Sequence, residues 1–187
     1  SIIPPFKPIS ILSLFFKGLT WTLPNDENKI YLTFDDGPIP EVTPWVLDVL
    51  KARDIKATFF CVGANVKNNP DIYARILAEG HTVGNHTQNH LSGWTAANDA
   101  YLQEIEAAAQ CINSTLFRPP YGRISPIQYA QIKDQYKVIM WDTLSKDYDT
   151  TLSSDQVYQN ATTGVKSGSI IVFHDSIKSF EKLKYVL

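Results

Sequence analysis

Ile30-Tyr31-Leu32-Thr33-Phe34 runs straight into Asp35-Asp36-Gly37-Pro38, and this junction decides the fold. The first five residues are apolar, aromatic or β-branched, as strands prefer, and the next four are turn formers. The same unit recurs along the chain: an apolar run stops abruptly at polar or turn residues, and a helical pattern follows. Strand-like runs cover 57–62 (ending at Gly63), 81–85 (short), 115–117, 138–141 and 169–173. Between them, 45–51 carries Trp45, Val46, Val49 and Leu50 at helical spacing, and 71–79 is opened by Pro70 and closed by Gly80. Residues 97–111, 126–133, 155–165 and 176–186 complete the expected helices.

Strands apolar on both faces that alternate with helices imply parallel pairing through right-handed crossovers. Six or seven such units can close into a barrel or stay an open doubly wound sheet. No Gly-x-Gly-x-x-Gly follows the first strand, which argues against nucleotide binding. Polar residues cluster after each strand instead, the edge that carries the active site in a β/α barrel.

Composition sets the outer bounds. The 187 residues hold 17 basic and 19 acidic side chains, net charge -2, so a basic face for nucleic acid is not expected. The length fits one domain over residues 1–187, with residues 1–28 as an N-terminal docking segment and the chain a monomer. No stretch reaches the roughly 18 apolar residues of a membrane span. The apolar patch at 11–16 reads as a helical turn or two docking on the domain. Two cysteines, Cys61 and Cys111, cannot build a disulfide framework, and Cys61 reads as a buried free thiol. The chain begins at Ser1, so its compartment stays open. Histidines number four: His81, His86, His90 and His174.

Each chemical candidate has an ordinary reading beside the functional one. Asp35 and Asp36 in Asp-Gly-Pro chemistry read as a solvated turn. Adjacent strand residues face opposite ways, but a bend at Gly37-Pro38 could bring both carboxylates to one site. His86 and His90, four apart, would aim at one point on a helical turn, the arrangement a divalent metal needs from two nitrogens. Asp36 or Asp35 would supply a third ligand, and such a set suits several transition metals. Arg118, stiffened by Pro119-Pro120, could hold a carboxylate bidentately or be a surface arginine. His174 ends an apolar strand, where histidine is often structural. Asp147 is one of three aspartates in the loop 142–149. Tyr121, Trp94 and Tyr148 read as groove aromatics or as packing. His81 reads as a loop residue.

Taken together and in order, these residues resemble the polysaccharide deacetylase family, also called carbohydrate esterase family 4, over roughly Lys29 to Asp175. Thr33-Phe34-Asp35-Asp36-Gly37-Pro38, His86-Thr87-Gln88-Asn89-His90, Arg118-Pro119-Pro120-Tyr121 and Val172-Phe173-His174 match four of its motifs. The remaining one, commonly Asp-x-x-Asp-Trp, departs: Leu144 replaces the first aspartate, Asp147 keeps the second and Tyr148 replaces the tryptophan. The resemblance implies an α/β fold, a distorted (β/α) barrel of fewer than eight parallel strands with its site at their C-terminal ends. It implies a divalent metal, zinc first, with cobalt, manganese or nickel as alternatives, on Asp36, His86 and His90. It further implies Asp35 as general base oriented by Arg118, and His174 as general acid oriented by Asp147. Tyr121 would offer a backbone N–H to the oxyanion, and Tyr148 with Val172 would line the acetyl pocket.

The function expected on this ground is removal of acetyl groups from a carbohydrate polymer, first of all N-deacetylation of N-acetylglucosamine units in a peptidoglycan or chitin-like glycan. That substrate class favours an extracellular or cell-envelope setting. Two alternatives stand beside it: O-acetyl ester cleavage on a polysaccharide such as xylan, and a non-catalytic carbohydrate-binding module.

Overall fold

The computed structural model describes residue 15 and residues 17–187; most of the expected docking turn at 11–16 lies outside the described residues. Seven strands form one sheet: β1 (Tyr31–Asp35), β2 (Thr58–Cys61), β3 (Thr82–Asn85), β4 (Leu116–Phe117), β5 (Lys137–Val138), β6 (Thr143–Leu144) and β7 (Ile170–His174). Their order is β5-β4-β3-β2-β1-β7-β6 and every pair is parallel. The sheet curls into the expected distorted barrel of fewer than eight strands. Among the described residues, helices α1 (Thr43–Ala52), α2 (Gly63–Asn68), α3 (Pro70–Ala78), α4 (Asn98–Ala109), α5 (Pro126–Ile132), α6 (Ser154–Thr162) and α7 (Phe180–Val186) surround it. Among the described residues, no helix is long and apolar enough to cross a membrane.

Strand alternation sorts the side chains into two layers. Phe34, Phe59 and Phe173 stack on one another, with ring centroids 5.2 and 5.6 Å apart. They pack against Val46, Leu47 and Leu50 of α1, Ile76 of α3 and Leu183 of α7. A second cluster joins Phe117, Val138 and Met140 to Tyr101 and Ile105 of α4 and Ile132 of α5, and includes Phe15 and Leu19. The intervening residues, Thr33 and Asp35 on β1, Phe60 on β2, and Ile170, Val172 and His174 on β7, belong to the other face. Replacing one of the stacked phenylalanines by alanine would cost about 3–5 kcal/mol in transfer and cavity terms.

Two boundaries and one strand differ from the sequence expectation for identifiable reasons. The strand expected at 138–141 pairs regularly only at Lys137–Val138, with an isolated bridge from Ile139 to Thr20. The carbonyls of Ile139 and Met140 accept instead from Arg118 Nε and Nη2, at 3.1 and 2.9 Å. The chain then crosses to the far edge and forms β6, unforeseen because two residues carry no periodicity. The closing helix begins at Phe180, after a 3-10 turn at Ile177–Ser179 where the Ser176 and Ser179 hydroxyls bond at 3.0 Å. Such local hydroxyl bonds compete with helix.

Residues 20–23 span the open side of the curl. Thr20 N–H donates to Val138 O and Met140 N–H to Thr20 O, while Leu23 N–H donates to Gly168 O at 2.9 Å. One short segment thereby ties the β5 edge to the start of β7.

Candidate active site

Register brings the polar strand ends together. Asp35 pairs with His174 on β7 and Phe60 on β2, Cys61 with Asn85, and Asn85 with Phe117. The next residues along β1, β3 and β4 are therefore Asp36, His86 and Arg118, all on one rim. Asp35 ends β1 facing the barrel interior and is buried. Asp36 leaves the strand at φ 88°, an unusual backbone for a non-glycine residue, and this bend turns the second carboxylate to the same site. The turn is anchored by Asp175, also buried: its Oδ1 accepts Gly37 N–H at 3.0 Å and its Oδ2 accepts the Thr43 hydroxyl at 2.7 Å. A Cβ on Gly37 would lie 1.9 Å from that carboxylate, so glycine is required there. Burial, opposed by the Thr43 hydroxyl, and the charge of Asp36 push Asp175 up to about 8. Sequence reasoning missed this anchor; its only signal was adjacency to His174.

His86 and His90 do not lie on a helical turn as their spacing suggested. Residues 86–90 form a bent loop, with Thr87 at φ 65° and His90 at φ 60°. The loop is pinned from both sides. Gly63 and Ala64 N–H at the start of α2 donate to Thr87 O and Gln88 O at 2.9 Å. Glu104 on α4 accepts from Asn89 N–H and Nδ2 at 2.8 and 2.9 Å. The α2 helix was absent from the sequence reading, since its six residues are too few for a pattern.

The loop delivers His90 Nε2 to 3.0 Å and His86 Nε2 to 3.4 Å from Asp36 Oδ1. One ligand atom from each of the three lies within 4.8 Å of the others. His86 Nδ1 sits 2.7 Å from Arg118 O; a carbonyl only accepts, so Nδ1 carries the proton and Nε2 presents a lone pair. Asp36 Oδ1 is buried and makes no hydrogen bond. Burial by itself would raise the Asp36 carboxyl, but His86 and His90, when protonated in the absence of an ion, donate to it and hold it far below the usual carboxylate range. An orphaned carboxylate oxygen facing two imidazole nitrogens is the donor set a divalent transition metal takes, so the residues fit one.

Arg118 is wholly buried. Its Nη1 donates to Asp35 Oδ1 at 2.8 Å and to Thr33 Oγ1 at 2.7 Å, and its guanidinium lies 4.3 Å from the centre of the Phe60 ring. Burial pulls the guanidinium below its ordinary value, against the Asp35 charge. The other oxygen of Asp35, Oδ2, stands free of Arg118 and 4.0 Å from His86 Nε2.

Across β1, His174 Nδ1 lies 2.7 Å from Asp147 Oδ1, and His174 N–H donates to Asp147 Oδ2 at 2.6 Å. Ser145 braces the loop: its hydroxyl donates to Val172 O at 2.7 Å and accepts Asp147 N–H at 3.3 Å. Burial disfavours the charged ring, yet the Asp147 hydrogen bond and charge, with Asp35 and Asp36 behind, raise His174 to about 9.

Asp35, Asp36, His86, His90 and His174 border one cavity of about 360 Å³. Tyr121 (at φ 62°), Tyr148, Val172 and Leu144 line it, joined by Trp141, Arg123 and Lys178, which sequence reasoning did not single out. Trp141 had been absorbed into an expected strand, and isolated exposed cations give no pattern. His81 stays outside: it ends the loop before β3, and its Nδ1 accepts Ala57 N–H at 3.1 Å. Cys61 and Cys111 are both free thiols, Cys61 buried.

Known proteins resemble this chain in sequence and in fold. The family model described as polysaccharide deacetylase matches residues 22–138. A peptidoglycan-N-acetylglucosamine deacetylase of Bacillus cereus is 34% identical over 164 residues, covering 84% of this chain and 77% of that protein. A chitooligosaccharide deacetylase of Rhizobium leguminosarum bv. trifolii is 30% identical over 158 residues, covering 81% and 73%. The crystal structure of a peptidoglycan N-acetylglucosamine deacetylase superposes with a TM-score of 0.84 at 30% identity, covering 97% of this chain and 89% of that one. The chain belongs to the polysaccharide deacetylase family, carbohydrate hydrolases of the CE4 group.

Proposed function

We propose that this protein hydrolyses the acetamido group of N-acetylglucosamine units in a glycan polymer, using a divalent ion on Asp36, His86 and His90. One observation carries the reading. A three-ligand cluster with an orphaned carboxylate oxygen shares a cavity with two separately braced proton-transfer groups, Asp35 on Arg118 and His174 on Asp147. Zinc comes first among the ions for a site of two imidazoles and one carboxylate, with cobalt, manganese or nickel as alternatives. The ion, when bound, would acidify water and polarise the acetyl carbonyl.

The chain's own residues do the rest. Asp35 takes the proton of the attacking water on Oδ2, while Arg118 keeps Oδ1 occupied and the carboxylate in one orientation. The Tyr121 backbone N–H donates to the oxyanion as the carbonyl becomes tetrahedral. His174, charged below about 9, gives its proton to the departing amine and is restored by solvent. Tyr148 and Val172, with Leu144 and Trp141, enclose the acetyl methyl in an apolar pocket.

The test is acetate release from chitooligosaccharides, peptidoglycan fragments and acetylxylan by metal-stripped and zinc-reconstituted protein. Metal-dependent release from the N-acetylated glycans is expected; release from none of the three would sink the reading. Leu144 and Tyr148 in the acetyl pocket favour a second reading, O-acetyl ester cleavage, because both depart from the family pattern. Release from acetylxylan alone would select it. The cell envelope follows as the setting, since peptidoglycan is what the Bacillus cereus relative is named for.

A further inference from the structure

The two sides of the cavity repeat one order of side chains. On the β3–β4 side, His90 meets the Tyr121 ring at 4.7 Å, and the Arg123 guanidinium lies 5.7 Å from the centre of that ring. On the β7–β6 side, His174 meets the Tyr148 ring at 5.1 Å, and Lys178 Nζ lies 5.8 Å from its centre. Each sequence runs imidazole, tyrosine, cation, and the two run outward on either side of β1, whose Asp35 and Asp36 mark the reacting centre. Arg123 is further held 4.9 Å from the ring of Trp94, which is 68% exposed. Both cations are exposed and line the cavity. Among the described residues, neither pairs with a carboxylate, so both charges are left to the cavity they line.

A neutral glycan needs hydroxyl partners and stacking rings from such a wall, and has no group that rewards an unpaired cation at each end. An alternating glycan differs. If every second sugar carries a carboxylate, both neighbours of any reacting acetamido sugar are acidic, one toward each end of the cleft. We infer that Arg123 and Lys178 are specificity-determining residues, selecting a glycan whose sugars on both sides of the reacting N-acetylglucosamine carry carboxylates. The inference rests on the deacetylase reading and narrows it from neutral chitin-like chains to acidic alternating ones. Arg123 lies against two aromatic rings, Trp94 and Tyr121, and Lys178 against one, Tyr148.

The experiment uses the zinc-reconstituted chain and three probes: peptidoglycan-derived tetrasaccharides with free carboxylates, the same fragments amidated, and chitotetraose. Acetate release gives kcat/KM, and calorimetry gives Kd for the same probes. The wild type should prefer free carboxylates over the amidated fragments about tenfold, in KM and Kd rather than kcat, with the preference shrinking as salt rises. Arg123→Gln and Lys178→Gln should each remove about threefold of it, the double variant should bring it near one, and Arg123→Lys should keep part. Equal handling of free and amidated fragments by the wild type, or a preference that survives the double variant, overturns the inference while leaving deacetylation intact. If no probe releases acetate, the deacetylase reading fails by itself, and Kd values equal for free and amidated fragments overturn the inference separately.

Discussion

The two sides of the cavity are finished to different degrees. On the His174 side every polar partner is in place: both oxygens of Asp147 hold His174, and Ser145 holds Asp147. On the His86 and His90 side, two imidazole nitrogens face a buried carboxylate oxygen that accepts nothing. Unsatisfied buried polar atoms are costly, and chains keep few of them. The first side is a complete proton-transfer couple built from protein alone. The second is complete only with a cation, so one side should answer to metal and the other to pH.

The largest effects should come from the unfinished side. His86→Ala removes a ligand and should reduce both bound zinc and acetate release to background, read by metal analysis beside the assay. Zinc added to stripped wild-type protein should raise the melting temperature, because a ligand at a thousandfold its Kd stabilises by about 4 kcal/mol. The same gain should persist in His174→Ala and vanish in His86→Ala. A melting temperature indifferent to zinc in the wild type would erase the difference between the sides.

Asp35 stands between them, and its substitution sharpens the division. Asp35→Asn should keep zinc yet lose about 10²- to 10⁴-fold in turnover, the usual worth of a positioned proton-transfer group. A folded Asp35→Asn protein without zinc would mean that Asp35 belongs to the metal side instead. His174→Ala should cost about 10²-fold or more on an N-acetyl substrate, since an amine leaves poorly without a proton. On an O-acetyl ester of the same sugar the loss should be clearly smaller. Equal losses on both would remove His174 from the acid role.

The sequence made the strand ends legible because each is a local signal: an apolar run meets turn chemistry, and the polar residue beyond it is conspicuous. Asp35, Asp36, His86, Arg118 and His174 were all visible in this way, and parallel pairing then brings them to one rim. What stayed hidden depends on distant partners. The His86–His90 loop takes its shape from α2 amides and from Glu104, so its four-residue spacing suggested a helix that does not exist. Asp175 steadies the turn through Gly37, 138 positions away. Residues 139 and 140 look like strand but give their carbonyls to a buried arginine. Two capping boxes were readable in principle: Ser125 with Gln128, and Ser153 with Gln156. The second marks a helix start at Ser154 rather than at residue 155.

The smallest and most discriminating effect belongs to Asp147→Asn. In the intact couple, His174 is raised to about 9 chiefly because the Asp147 hydrogen bond and charge outweigh burial. A raised base stays protonated up to that pH, so an acid role predicts deacetylation that falls on the alkaline side, at or below about 9. The limb sits lower in the loaded enzyme, because a cation on Asp36 cancels part of the negative charge that also favours the imidazolium. Asparagine can still accept from Nδ1–H and hold the ring's tautomer, but it carries no charge. Burial then acts against the imidazolium with only the more distant Asp35 and Asp36 charges to oppose it, and the limb should move down toward the ordinary histidine value of about 6.5 or below. At neutral pH the variant should lose about tenfold or more on amide substrates and recover much of it on acidification. Zinc content and zinc-dependent melting should not change, since no ligand is touched. A limb that stays put in Asp147→Asn would assign the alkaline loss to some other group and leave the His174 side without its pH signature.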